Sequence, residues 1–289
     1  MLYITVNIAV YFLLFQLKSI GLQDDVHAQW CVTDGVQLTD EERVFLNAAA
    51  LGDVPIVRQS LEDGIVSLNV NCVDFMGRSA MHLAVDCESM ELVELLMERT
   101  SFECVEEALL HAISKGATKL VKVIIEHPNY IAGAEHAKST LKDPFFRTDE
   151  KSQFSPDITP LILAAHYNNH EIIQMFISMN HTIDRPHPIA CQCTDCVTKQ
   201  NYDSLKRSRS RLHAYRALAS PAYMALSSQD PILTTFQLRQ EMKQLAQVEK
   251  EFKVSHHITS SSSSSLFAYS IITLPAYSSL CACMVAATY

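Results

Sequence analysis

The residue types able to do chemistry in this 289-residue chain concentrate between His187 and Cys196, where one imidazole is followed by Cys191, Cys193 and Cys196. One nitrogen and three sulfurs are the donor set that closes the tetrahedral shell of a structural zinc ion, with no position left for a reacting water. The single-residue gap between Cys191 and Cys193 is tighter than usual finger spacing, so two other readings stand beside the metal: free surface thiols, or a redox pair at Cys193 and Cys196. Lys199, Lys206 and Arg207 follow closely enough to offset the negative charge of three thiolates around a divalent ion. No catalytic or organic-cofactor residue is identified elsewhere: the sequence has no Gly-rich phosphate loop, no HExxH, no nucleophile elbow and no segment of convergent acids.

The elements that position such a cluster must come from a chain that folds. Its 48% hydrophobic content places it outside the disordered class. The formal charge of -9, from 23 basic and 32 acidic residues, excludes nucleic acid as a general partner, because phosphate neutralisation needs a net basic face. Nine cysteines without a usual cleavable signal peptide fit reduced thiols and a metal site better than a disulfide framework.

Four segments align on a small residue that is expected to open an amphipathic helix: Ala48, Ala84, Ala112 and Ala164. Eight positions on, each has an aliphatic residue (Ile56, Leu92, Leu120, Ile172). The next position repeats the pattern with Val57, Val93, Val121 and Ile173. Leu61, Leu96, Ile124 and Phe176 extend the stripe by a turn, the spacing a helix needs to bury one side. The separations scatter around the ankyrin period, the last stretched by a polar insert near 129–156 that is expected to form a loop. Gly77 to Ala84 and Asp157 to Ala164 read as ankyrin openings, in which His82 braces a turn structurally. The fold class is therefore all-α: an ankyrin solenoid of about four repeats over 40–182, then a zinc-stapled loop and linker helices over 183–253. Such a stack offers a surface for protein partners and no preformed catalytic pocket.

Beyond the cluster, Leu205, Leu212, Tyr215 and Ala219 share one face of a helix whose cations are expected to be solvated on the other. A further helix opens at Asp230 and Pro231, an N-cap followed by proline at the first position. Ile232, Phe236, Met242, Leu245, Val248 and Phe252 give it an apolar stripe that is expected to pack back on the preceding elements.

The runs RPHPIACQCTDC, YDSLKRSRSRLHAYRALASPAYMALSSQDPILTTFQL and VEKEFK resemble the region after the ankyrin repeats of TRPC and insect TRP channels, transient receptor potential cation channels. LILAAHYNNHEII resembles their fourth repeat. The resemblance covers nearly all of 40–253. It implies a tetrameric, calcium-permeable plasma-membrane channel working downstream of phospholipase C, with this region as its cytosolic base and other TRPC-type subunits as its partners. It also implies that His187, Cys191, Cys193 and Cys196 bind zinc. No pore residue carries over, since the membrane spans and selectivity filter have no counterpart here, and an ankyrin adaptor for protein partners is the alternative reading.

Both ends depart from the resemblance. Leu2 to Leu17 is apolar but short for a spanning helix and lacks a basic n-region and a cleavage site, so 1–39 is expected to be a leader, either native or foreign to the family, with membrane insertion as the weaker reading. From Val254 the chain turns to a serine run and then an uncharged stretch from Leu266 to Tyr289. Residues 254–289 are expected to be a non-family tail, an intron read-through or, as the rival, a tail anchor. Without either insertion the fragment is expected in the cytoplasm, conducting no ions by itself.

Overall fold

The aligned alanines turn out to close a helix rather than open one in the computed structural model, which describes residues 38–62, 68–139, 144–146, 152–249 and 251–252. The leader and the tail lie outside the described residues. The first helix pair is α1 (Asp40–Leu51) with α2 (Val54–Glu62), and the second is α3 (Ala80–Asp86) with α4 (Met90–Met97). The third is α5 (Phe102–Lys115) with α6 (Thr118–Glu126); after α7 (Pro128–Ser139) comes the fourth, α8 (Pro160–His166) with α9 (His170–Ser178). Ala48, Ala84, Ala112 and Ala164 each sit in the last turn of the first helix, and the stripe eight residues on belongs to the second.

One turn joins all four pairs. The alanine carbonyl accepts from the backbone N–H five residues on: Asp53 to Ala48 at 2.9 Å, Ser89 to Ala84 at 3.3 Å, Ala117 to Ala112 at 3.0 Å and Asn169 to Ala164 at 3.1 Å. The residue before each donor is left-handed: Gly52 (φ 72°), Glu88 (55°), Gly116 (71°) and Asn168 (56°). Glycine adopts this backbone freely, whereas Glu88 and Asn168 hold it at a cost of about 1–2 kcal/mol. The side chains of Asp53, Ser89 and Asn169 then accept from the N–H of Ile56, Leu92 and Ile172, capping the second helix at the residues that begin its apolar stripe.

First helices stack on first helices, in the order α1, α3, α5, α8, and second helices on second, in the order α2, α4, α6, α9. Val57, Val93, Val121 and Ile173 are all fully buried, each worth about 1.5–3 kcal/mol of apolar transfer. Ile56 departs from its column at 41% exposed; among the described residues no pair precedes α2. The insert is not simply a loop. It begins as α7, which lies on α5 and α6 with Tyr130 buried, and Gly133 there faces the Phe102 ring so closely that a Cβ would come within 2.2 Å of it.

The linker helices continue both ladders: α10 (Thr194–Tyr202) leads into α11 (Ser204–Leu218), which stacks on α8, and α12 (Pro221–Ser227) stacks on α9. They take the place of a fifth pair without an ankyrin sequence. Four hydrogen bonds seat them. Asp157 Oδ2 accepts from His213 Nδ1 at 2.9 Å, and His166 Nε2 pairs with the His213 carbonyl at 2.8 Å. The Asn168 side chain accepts from Ser220 Oγ at 3.0 Å and the Ala222 N–H at 2.9 Å, so the left-handed residue of the fourth turn caps α12.

Helix α13 (Pro231–Val248) opens on Asp230, whose carboxylate accepts from the Leu233 N–H, with Pro231 at the first position. Its packing corrects the sequence expectation. Tyr215, Met224, Leu238, Met242, Leu245 and Phe252 form a second small core, but Ile232 and Phe236 are 52% and 63% exposed, and Val248 is exposed as well. Leu238, with Met242 and Leu245 one turn apart beyond it, carries the buried face instead, so the apolar contact begins about two turns into the helix. The cations of α11 are also not all solvated: Arg207 and Arg211 are buried, Arg211 paired with Glu249. Leu205, expected on the buried face, is exposed.

His82 is buried in α3 with its Nδ1 2.9 Å from Ser79 Oγ and its ring 5.4 Å from that of His111, whose Nε2 lies 2.8 Å from Asp86. Burial, helped by His111, pulls its pKa down to about 4 from 6.5, and burial likewise lowers that of His166. A depressed folded-state value means the unfolded chain takes up the proton first. The stability is complete above pH 6.5 and is lost as pH falls toward 4, by about 2–3 kcal/mol for His82. We expect urea unfolding to show this decline, and His82→Gln to remove most of it while leaving a shallower slope from His166.

Candidate metal centre

The loop to the cluster leaves α9 through Asn180, which is left-handed at φ 61°, and runs extended along the linker. It is tied down on the way. The buried Ile183 donates its N–H to the Tyr223 hydroxyl at 3.1 Å, and Arg185 pairs with Glu241 at 2.8 Å. Pro186 and Pro188 flank His187, removing two donors and restricting the residue before each to extended backbone. A turn with the Cys191 N–H on the Pro188 carbonyl at 3.0 Å folds the cysteines back beneath the imidazole.

Cys193 is the N-cap of α10, with extended backbone, and its sulfur accepts from the Cys196 N–H at 3.4 Å. A sulfur thus sits where a serine or aspartate oxygen usually does. That N–H is the largest influence holding the Cys193 thiol down at about 6, with the neighbouring side chains adding to it; Cys196, in the first turn and buried, is pushed up chiefly by burial. The cluster therefore holds one thiol that ionises easily and one that needs a cation to stay ionised.

All four predicted ligands meet at one point. His187 Nδ1 lies 3.5 Å from Cys191 Sγ, 3.4 Å from Cys193 Sγ and 3.5 Å from Cys196 Sγ, and the four donor atoms lie within 4.8 Å of one another. Bonds of about 2.0 Å to nitrogen and 2.3 Å to sulfur at tetrahedral angles separate the two donors by roughly 3.5 Å, so these spacings match one corner of a tetrahedron facing three others. The donor set fits a metal ion. Among the described residues no other group of His, Cys, Asp and Glu gathers this way, and the six cysteines there form no disulfide.

Of the three nearby cations, Arg207 is the one brought to the sulfurs. It is 9% exposed, donates to Gln200 Oε1 at 2.7 Å and hydrogen-bonds Cys196, so it offsets thiolate charge while locking α11 to α10. Lys199 pairs with Asp195 on its own helix at 3.3 Å. Gln200 was not legible as a site residue. Its part depends on α11 folding back along α10 at Asp203, which no spacing announces.

The profile of the family Transient receptor ion channel II matches residues 191–253, and that of the Ankyrin repeat matches 157–186. Short transient receptor potential channel 3 of Homo sapiens is 47% identical over 225 residues, covering 76% of this chain and 24% of the relative. Short transient receptor potential channel 4 of Mus musculus is 43% identical over 219 residues, covering 75% and 22%. The chain thus spans about a quarter of the length of the curated relatives it matches.

Replacing Arg207 by Met should cost about 0.5–1.5 kcal/mol in urea unfolding, since the buried Cys196 then loses its cationic neighbour while the exposed Gln200 turns to water. Lys at this position should not restore it, because an ammonium cannot reach two acceptors in one plane as a guanidinium does.

Proposed function

We propose, from a chain whose ankyrin-and-linker region is of the short transient receptor potential channel type, that this region is the cytosolic base of a calcium-permeable cation channel subunit. Its repeats occupy 40–182 and its metal loop and linker helices 183–253. A structural zinc ion held by His187, Cys191, Cys193 and Cys196 staples the loop that joins them. The near-equal distances from His187 Nδ1 to three sulfurs carry the metal reading, and a closed set of four protein ligands favours a structural over a catalytic ion.

Zinc supplies the fixed charge that keeps three thiolates together; the chain's residues do the rest. The two prolines hold His187 extended, the N-cap geometry aims Cys193, and Arg207 compensates Cys196. The work of the region in this reading is assembly and regulation. It associates with TRPC-type subunits through the linker and with other proteins through the repeat surface, while the conducting path belongs to segments these helices do not supply. No helix among the described residues is long and apolar enough to cross a membrane. The relatives it matches are named as channels, which supports this reading over an enzyme.

Metal analysis of the purified chain should return about one zinc per molecule, lost together with several degrees of melting temperature on Cys193→Ser with Cys196→Ser. Metal-free protein of unchanged melting would sink the staple. For the subunit reading, the chain should co-purify with a complete short transient receptor potential channel and carry no cation current when expressed alone. Failure to associate would favour an independent ankyrin adaptor.

A further inference from the structure

The turn Pro144–Phe146 belongs to the insert between the third and fourth pairs, far from the cluster in sequence, yet it meets the helices that follow the cluster in space. Phe145 is only 3% exposed although its sequence surroundings are polar. Its ring makes edge contacts with Phe146 at 5.3 Å and Tyr202 at 6.2 Å, and Phe146 meets Tyr202 at 5.1 Å. The ammonium groups of Lys199 and Lys206 stand 5.4 Å and 5.3 Å from the centre of the Phe145 ring, within cation–π range.

Those partners are not on one helix. Lys199 and Tyr202 lie on α10, one and two turns beyond Cys196, and Lys206 lies on α11 across the corner at Asp203. Phe145 therefore grips both arms of the bend. Helix α10 buries one residue, Cys196 itself, and besides the Arg207–Gln200 bond to α11 this aromatic turn is what meets it across the fold. Three sulfurs and an imidazole do not gather unaided, since ionised thiolates repel and the ordering of the loop must be offset before the ion contributes.

The geometry points to Phe145 as a positioning residue of the metal centre: the turn Pro144–Phe146 clamps the α10–α11 bend and so holds Cys193 and Cys196 at ligating distance. This rests on the zinc reading above and adds to it a part of the chain outside the ligand loop. It also gives the insert a task, making the third and fourth pairs' connection a component of the centre rather than a passive excursion.

The test follows zinc transfer from the zinc-loaded full chain to an excess of a chromogenic chelator. Phe145→Ala should speed transfer about tenfold, the range seen when support around metal ligands is removed, and Phe145→Tyr should stay within about twofold of the parent. Phe145→Leu, which keeps apolar burial but lacks the ring face, and the double change Lys199→Gln with Lys206→Gln should each fall between them, and either serves if the alanine variant does not fold. The reverse coupling is read in a chain carrying Trp30→Phe and Phe145→Trp, whose emission should shift to the red when zinc is stripped. Transfer rates equal to the parent in all ring-less variants, with zinc bound and the reporter unmoved, would overturn the clamp while leaving the staple standing. A parent chain that binds no zinc would overturn both.

Discussion

The stacking of the four helix pairs depends on the turn between the two helices of each pair. The bond from the N–H five residues on to the alanine carbonyl, made possible by one left-handed residue, sets the angle at which the second helix leaves the first. Repeated four times, it presents the same two faces to each neighbour, so that a pair unable to bury its own apolar surface finds a matching one above and below. A small side chain is needed where the turn closes against the next first helix, which is why alanine recurs there.

The linker uses the same faces without the same turn. Helices α11 and α12 extend both ladders, but the backbone between them is right-handed at Ala219, and the seat is made by side chains: Asp157 on His213, Asn168 on Ser220 and the α12 N-terminus. Reaching this place takes a connection from Ser178 to Ser204, longer than the one from Met97 to Phe102 and shorter than the insert-bearing one from Glu126 to Pro160. A connection that long is costly to order, and the cluster of four metal-competent donors lies in the middle of it. The metal centre and the non-repeat pair are in this sense one solution to terminating the stack.

Much of this was legible in sequence, and the failures have physical causes. The columns at Val57, Val93, Val121 and Ile173 emerged because burial in a solenoid is periodic, and the cluster of four donors emerged because metal-competent side chains are a short list of residue types. The resemblance to transient receptor potential channels rested on long uncommon runs, and the matches over 157–253 bear it out. The alanines were read as helix starts because a conserved spacing says where a column is, not which end of a helix it occupies. Ile232 and Phe236 were assigned to the buried face on period alone, which cannot say how much of a helix its neighbour covers. Arg207 was among the cations read as offsetting thiolate charge, whereas Gln200 and Phe145 escaped for another reason: each acts across a fold in the chain, and neither an amide on a polar helix nor a phenylalanine in a polar insert carries a local signature.

The bend at Asp203 leaves no slack. This single residue ends α10 and begins α11, its carboxylate accepting from the Lys206 N–H at 2.9 Å, so there is no loop between the two helices to absorb a displacement. An elbow of this kind transmits rotation rather than damping it. Tilting α10 about its sulfur-bearing end swings α11, and α11 is the member seated directly on the last first helix of the stack. Mechanically an ion bound by the four donors would sit at the short arm of a lever whose long arm is a fifteen-residue helix, where a small change of ligand geometry would become a larger change in the pose of everything bonded beyond it.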